Sequence, residues 1–428
     1  MKSSWPRRLY TAALWMLLPY IVVHLLARSR KQPEYLKHVG ERFGCYRLRA
    51  DRPVIWLHTV SVGETRAAAS LINKLLEAYP GHQLLLTHTT PTGRAESERL
   101  YGGKVWRAYL PYDYPFAVRS FLQQFRPSLG VLMETEIWPN LIAASRHQRI
   151  PLLLLNARMS EKSAKRYARY PKLTRQALLD LTAIAAQTNA DAERLMQLGA
   201  GQVTVMGNLK FDIEPPERML QLGRVFRQRF GEGRKIFLAA STRDGEEALL
   251  LDMLSQLHIP DLLTVIVPRH PQRFADIASM LDSRKLEYVR RSEERTVPPQ
   301  VSIVLGDSMG EMYAYYAACD VAFIGGSLLP FGGQNLIEAC AVGKPVLVGP
   351  HTYNFEEAAQ FAVQSGAAMR IQEAAELADN LGLLFAQPEQ LARMGQAGME
   401  FVAKNRGAVG RAMSYIESAQ AKAAKMPA

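Results

Sequence analysis

The chain has 428 residues, 48% hydrophobic and 21% charged, which excludes wholesale disorder and a polytopic membrane protein and suits two domains. Lys and Arg number 52 against 40 Asp and Glu, a net charge of +12 that suits an anionic partner. The three cysteines, Cys45, Cys319 and Cys340, are far apart and form no C-x-x-C pair, so a disulfide scaffold and a zinc ribbon are excluded.

Leu9–Ala27 comes first along the chain. It reads LYTAALWMLLPYIVVHLLA, without a formal charge. As a helix it would be ~28 Å long, close to a ~30 Å hydrocarbon core. Arg7 and Arg8 precede it, and Arg28, Arg30 and Lys31 follow. Residues 1–30 are therefore expected to form an N-terminal membrane anchor. Pro19 and His24 keep a shallow, monotopic helix open beside a span. The basic residues after the segment stand where a signal peptide would need small residues, and they favour a cytoplasmic body. No basic low-complexity run or aromatic-studded strand follows, so no nucleic-acid partner is expected.

From residue 50 onward short apolar runs alternate with helical stretches. Val54–His58, Gln83–Thr87, Val105–Tyr109, Leu129–Met133, Leu152–Leu155, Ala183–Ala186 and Val203–Val205 read as strands. Glu64–Tyr79, Pro115–Phe125 and Trp138–Arg146 read as helices between them. This is a β-α series, hence a parallel sheet covered on both faces. Gly207–Pro216 breaks it with Gly, Asn, Asp and a Pro pair. A second series follows at Ile236–Ala240, Leu262–Val267, Ser302–Leu305, Val321–Ile324 and Pro345–Val348. The expectation is α/β: two Rossmann-like doubly wound domains, 31–212 and 213–428, facing a cleft. The last helices, roughly Ala374–Ala419, are free to pack back on the first domain. Ligands of such sheets bind beyond the carboxyl ends of the strands.

The polar clusters fall at those ends. His58-Thr-Val-Ser-Val-Gly-Glu64 places Glu64 at a helix start, where an acid also serves the helix dipole. Glu134 and Glu136 follow the fourth strand, and Asn156-Ala-Arg158-Met-Ser160 follows the fifth. In the second series come Ser241-Thr-Arg-Asp-Gly-Glu246, Pro268-Arg269-His270-Pro271, Asp307-Ser-Met309-Gly310-Glu311, Gly325-Gly-Ser327 and Phe331-Gly-Gly-Gln-Asn335-Leu336-Ile337-Glu338. Glycine pairs allow close backbone approach. Helix starts offer N–H groups to a phosphate. Glu338, expected one turn into its helix, has the chemistry to meet ribose hydroxyls. Together these clusters describe a phosphate and ribose cradle. No P-loop, full G-x-G-x-x-G, H-E-x-x-H or D-x-D occurs, so no metal site and no resident cofactor are expected.

The runs HTVSVGE, ETEIWPN, NARMS, GNLKFD, STRDGEE, PRHPQRF, GDSMGEM and GGSLLPFGGQNLIEA, in this order behind an N-terminal anchor, resemble the 3-deoxy-D-manno-octulosonic acid (Kdo) transferases. The resemblance extends from about residue 5 to beyond residue 355, through Gly349-Pro-His-Thr-Tyr-Asn354. It implies a GT-B glycosyltransferase that moves Kdo from CMP-Kdo to the tetraacylated lipid A precursor, at the cytoplasmic face of the inner membrane. It implies that Glu64, in the SVGE motif, is the base. It places the CMP contacts at Pro268 and Arg269, at Met309, Gly310 and Glu311, and at Asn335, Leu336, Ile337 and Glu338. A single inverting displacement with a monophosphate leaving group makes the missing D-x-D intelligible. The alternative is a GT-B transferase that uses a UDP-sugar on another lipid-linked acceptor. An epimerase of similar fold and a non-catalytic sugar-nucleotide scaffold are further alternatives, separated by turnover of the donor without acceptor and by indifference to loss of Glu64.

Overall fold

The computed structural model describes residues 5–424. Residues 1–4 and 425–428, parts of the anchor and C-terminal-domain ranges above, lie outside the described residues. The chain divides into two compact units: one runs to Asp212 and resumes at Arg406, and the other is Ile213–Asn405. Residues 406–424 thus belong with the first unit.

The first unit holds seven parallel strands among the described residues: β1 Val54–His58, β2 Gln83–His88, β3 Trp106–Tyr109, β4 Pro127–Met133, β5 Leu152–Ala157, β6 Ala183–Ala186 and β7 Val203–Val205. Their spatial order is β3-β2-β1-β4-β5-β6-β7. β1 lies between β2 and β4, with His58 opposite Thr87 on one side and Leu132 on the other. The chain moves outward from β1 to β3, then returns to β4 and moves the other way. The carboxyl ends of β1 and β4 therefore flank the point where the winding reverses, the usual ligand crevice of such sheets.

Burial on both faces explains why the strands read as unbroken apolar runs. Val54 and Trp56 point into one core with Phe121, Phe125, Leu132 and Leu154. Ile55 and Leu57 point into the other with Leu71, Ile72, Val131 and Leu155. Each fully buried side chain of this size contributes roughly 1.5–3 kcal/mol. The second core is completed by the helix Ala408–Ala424, whose Val409, Ala412, Met413 and Ile416 lie in it.

The second unit repeats the architecture: β8 Lys235–Thr242, β9 Leu262–Pro268, β10 Tyr288–Arg290, β11 Ile303–Leu305, β12 Val321–Ile324, β13 Val346–Val348 and β14 Ala368–Arg370. The order is β10-β11-β9-β8-β12-β13-β14, all parallel, and the winding reverses between β8 and β12.

Three local expectations change. β10 and β14 are three-residue strands that the sequence reading missed. The single helix expected over Glu64–Tyr79 is two, Val62–Ala67 and Ala69–Ala78. Ala68 N–H donates to the carbonyls of both Arg66 and Glu64, and that tightened last turn ends the first piece. Glu338 lies in the first turn of the helix Ile337–Ala341 rather than one turn inside it.

Candidate active site

Glu64 is half-buried just beyond β1. Ser61 caps the short helix, and its Oγ accepts from Glu64 N at 3.4 Å. The Glu64 carboxylate turns back to accept from Val60 N at 2.8 Å and Ser61 Oγ at 3.2 Å. This reciprocal arrangement fixes the side chain over the strand end. The next crossover supports the same loop: Thr90 Oγ1 donates to Val60 O at 3.0 Å. Gly93 lies so close that a Cβ there would stand 3.1 Å from Val60 O.

Two more carboxylates come from the end of β4. Glu134 sits in the left-handed region with φ 57°, a conformation that a non-glycine residue rarely adopts without a local reason. Glu136 accepts from Trp138 Nε1 at 2.5 Å and faces His58 Nε2 at 3.6 Å. Burial, reinforced by the charge of Glu134 and, more weakly, Glu136, pushes the Glu64 carboxyl up to about 8 from an ordinary 4.5. Burial also raises Glu134, opposed by Lys210 and Arg158. Carboxyls raised by burial in a crevice are candidates for acid–base work. His88 is different. Burial lowers it to about 3, and its ring nitrogens are satisfied by Thr59 O and Ser97 Oγ, both at 2.9 Å. It is a neutral structural imidazole.

The NARMS and GNLKFD runs interlock beside these groups. Asn156, at φ 51°, accepts from Leu209 N at 3.1 Å, and Gln187 links Asn156 O to Asn208. Asn156 Nδ2 and His58 Nε2 are buried without a hydrogen-bond partner among the described residues. Polar atoms of this kind ordinarily find partners; the charged group facing His58 Nε2 is the Glu136 carboxylate at 3.6 Å.

In the second unit the hub is Glu246, which the sequence places at the end of one polar cluster without marking it out from its neighbours. Glu246 is fully buried. Its carboxylate accepts from Arg243 N at 2.9 Å, Gly326 N at 2.6 Å, Leu328 N at 3.0 Å and Leu329 N at 3.4 Å. It thereby ties the loop after β8 to the loop after β12. Gly325 has no room for a side chain, since a Cβ would lie 2.5 Å from Ser241 O. Gly326 O and Gly325 O accept from Gly333 N and Gln334 N, so the two glycine-rich runs form one folded cradle.

The expected CMP contacts distribute around it. Pro268 ends β9, and Arg269 N donates to Thr242 O at 3.0 Å, beside the same loop. Asn335 Nδ2 donates to Glu338 Oε1 at 3.0 Å. Leu336 and Ile337 are buried core side chains, so they offer a ligand only backbone. Met309, Gly310 and Glu311 follow β11, two strands from β8. Met309 is exposed and Gly310 has φ 82°. Arg291 Nη2 donates to Glu311 Oε1 at 3.0 Å, while Glu311 Oε2 is buried without a partner among the described residues.

Two parallel-sheet Rossmann-like units, each with polar groups at its winding reversal, are the GT-B fold. A UDP-GlcNAc 2-epimerase from Neisseria meningitidis shares this fold, with a TM-score of 0.58 at 16% identity over 86% of this chain and 100% of that one. Residues 37–213 match the family model described as 3-deoxy-D-manno-octulosonic-acid transferase (kdotransferase), and residues 248–401 match glycosyl transferases group 1. The 3-deoxy-D-manno-octulosonic acid transferase of Bordetella pertussis is 43% identical, covering 96% of this chain and 99% of that protein. That of Haemophilus influenzae is 34% identical, covering 96% and 98%. The chain belongs to the 3-deoxy-D-manno-octulosonic acid transferase family, and its activity is that of a Kdo transferase.

Proposed function

We propose that the chain transfers Kdo from CMP-Kdo to the tetraacylated lipid A precursor, lipid IVA. The reaction inverts the anomeric centre, uses Glu64 as general base and needs no metal. The observation that carries this reading is the Glu64 carboxylate, fixed beyond β1 at the winding reversal and raised to about 8. A sugar hydroxyl is a poor nucleophile until a base takes its proton, and a base with a pKa near the working pH is well matched to that task.

In the proposed step the acceptor O–H proton passes to Glu64. The oxygen attacks the anomeric carbon, and the bond to the phosphate oxygen breaks with its electron pair leaving on CMP. One displacement inverts the centre, so no covalent sugar–enzyme intermediate forms. A monophosphate leaving group has no diphosphate to chelate. Its charge is met by Arg269 and by backbone N–H groups around Gly310. The Asn335–Glu338 pair serves the ribose hydroxyls. The partnerless Glu311 Oε2 suits a donor group on the nucleotide. Pro268, Met309, Leu336 and Ile337 shape the cradle.

The helix Trp5–Lys31 is long and apolar enough to cross a membrane. We place it on the inner membrane with the catalytic units on the cytoplasmic side, where a lipid acceptor and a water-soluble donor meet. Mass spectrometry of lipid IVA after incubation with CMP-Kdo tests the reading. One or more Kdo additions are expected, and none with Glu64→Gln. Titration with CMP and UDP tests the donor: tighter binding of UDP would overturn the CMP assignment.

A further inference from the structure

The helix Trp5–Lys31 has two unlike sides. Arg7, Thr11, Leu14, Leu18, Ile21 and Leu25 recur at alternating steps of four and three, and all are at least partly shielded from solvent. That spacing is one continuous stripe of a helix. Along it Asn140 Nδ2 donates to Thr11 Oγ1 at 3.0 Å, and Tyr114 Oη donates to Leu14 O at 2.7 Å. Trp15 lies 5.1 Å from the Tyr114 ring and 5.8 Å from that of Phe116. The opposite stripe is open: Leu9 is 53% exposed, Met16 76% and Val23 64%.

A helix docked through Thr11, Leu14 and Trp15 cannot be ringed by lipid along that side. Sinking it across the hydrocarbon core would carry Arg119, Arg146 and His147 of the flanking helices Pro115–Phe125 and Pro139–His147 toward that core with it. Charged groups at such depth are costly. Lying in the plane of the interface leaves the docked stripe intact and gives Leu9, Met16 and Val23 to the acyl chains.

A cavity of about 590 Å³ opens between this helix and the body. Arg7, Arg8, Arg119 and His147 line it together with Thr11 and Asn140; the buried Asp113, which accepts from Asn140 N at 2.9 Å and feels the charge of Arg7, is not part of that lining. Trp15 lies at its edge, which is the level an indole takes at a membrane surface. We infer that the helix is monotopic and that this cavity holds the phosphate headgroup of an anionic membrane phospholipid. The inference rests on the membrane placement proposed above and goes beyond it in geometry and in ligand. The apolar stripe sets the depth of the helix, and the arginines select the lipid.

The test uses the full chain with vesicles of phosphatidylcholine, alone or mixed with phosphatidylglycerol. In a Cys45→Ser background, environment-sensitive labels are placed at Leu9→Cys, Met16→Cys and Val23→Cys, and their depths are read by lipid-borne quenchers. Equal shallow depths are expected. A deep Met16 label between shallower neighbours would mean a span and would overturn the monotopic helix. Arg8→Gln with Arg119→Gln should weaken the preference for phosphatidylglycerol roughly 30-fold, at about 1 kcal/mol per cation. The control pair Arg52→Gln with Lys104→Gln removes the same charge elsewhere on the unit and should cost far less. Equal losses in both pairs would overturn the headgroup site while leaving membrane attachment standing. If the unsubstituted chain fails to sediment with either vesicle, the membrane placement itself falls, and the inference with it.

Discussion

Glu64 carries opposite consequences for catalysis and for stability. Its carboxyl is held up to about 8, so the base is fully formed only above that pH. Turnover should rise as pH rises through about 8, and a pH–rate profile of kcat/KM checks this. Stability runs the other way. Between the unfolded carboxyl range and about 8 the folded chain keeps a proton that the unfolded chain releases, so this group's stabilising contribution is complete below that window and lost as pH rises through it. Glu64→Gln keeps the shape and cannot take a proton. Turnover should fall by at least ~10²–10⁴-fold, while the variant melts at or above the parent temperature at pH 8. A helix-start acid with no other role would give near-normal turnover in the same variant. The donor side differs again. On the proposed donor placement Arg269→Ala and Glu338→Ala each remove a charge-assisted contact worth ~1.5–3 kcal/mol, so CMP affinity measured by titration should drop about ten- to a hundredfold.

Among the elements, the loops after β8 and β12 depend on one buried carboxylate and one missing side chain. Glu246→Ala strands several backbone N–H groups inside the protein, and each buried unpaired group costs about 1–3 kcal/mol. The second unit should melt earlier and CMP binding should be lost with it. Gly325→Ala, which sets a methyl against the Ser241 carbonyl, should weaken CMP binding even where the unit still melts cooperatively. Neither role was open to sequence reading. Glu246 looks like any acid in the first turn of a helix, and its four partners come from loops, three of them some 80 residues away. The central strands were legible because two-faced burial writes them as apolar runs. β10 and β14 were not, since Tyr288–Arg290 and Ala368–Arg370 lie at the sheet edges and are too short to show a period. Glu64 itself was visible from its place between a strand and a helix. Its raised carboxyl was not, because that depends on burial in the folded unit and on Glu134 and Glu136 arriving from β4.

For the whole molecule, the discontinuity of the first unit matters most. Its second core includes Val409, Ala412, Met413, Ile416 and Ala419, supplied after the chain has built the whole of the other unit. The fold is further tied there by Asp212, whose carboxylate accepts from Gly407 N at 2.5 Å and from Val409 N. Domains commonly fold in the order in which the ribosome delivers them. Here that order is reversed for completion: Ile213–Asn405 has all its strands before residues 408–424 emerge, while an apolar face of the earlier sheet waits uncovered. Nascent chains stalled with residues up to 405 outside the ribosome should resist protease in the second unit and remain cleavable in the first, and release of residues 406–424 should protect both. During synthesis, then, the unit that carries Glu64 is the last to become whole, and a chain cut short before residue 408 yields a complete second unit beside an unfinished first one.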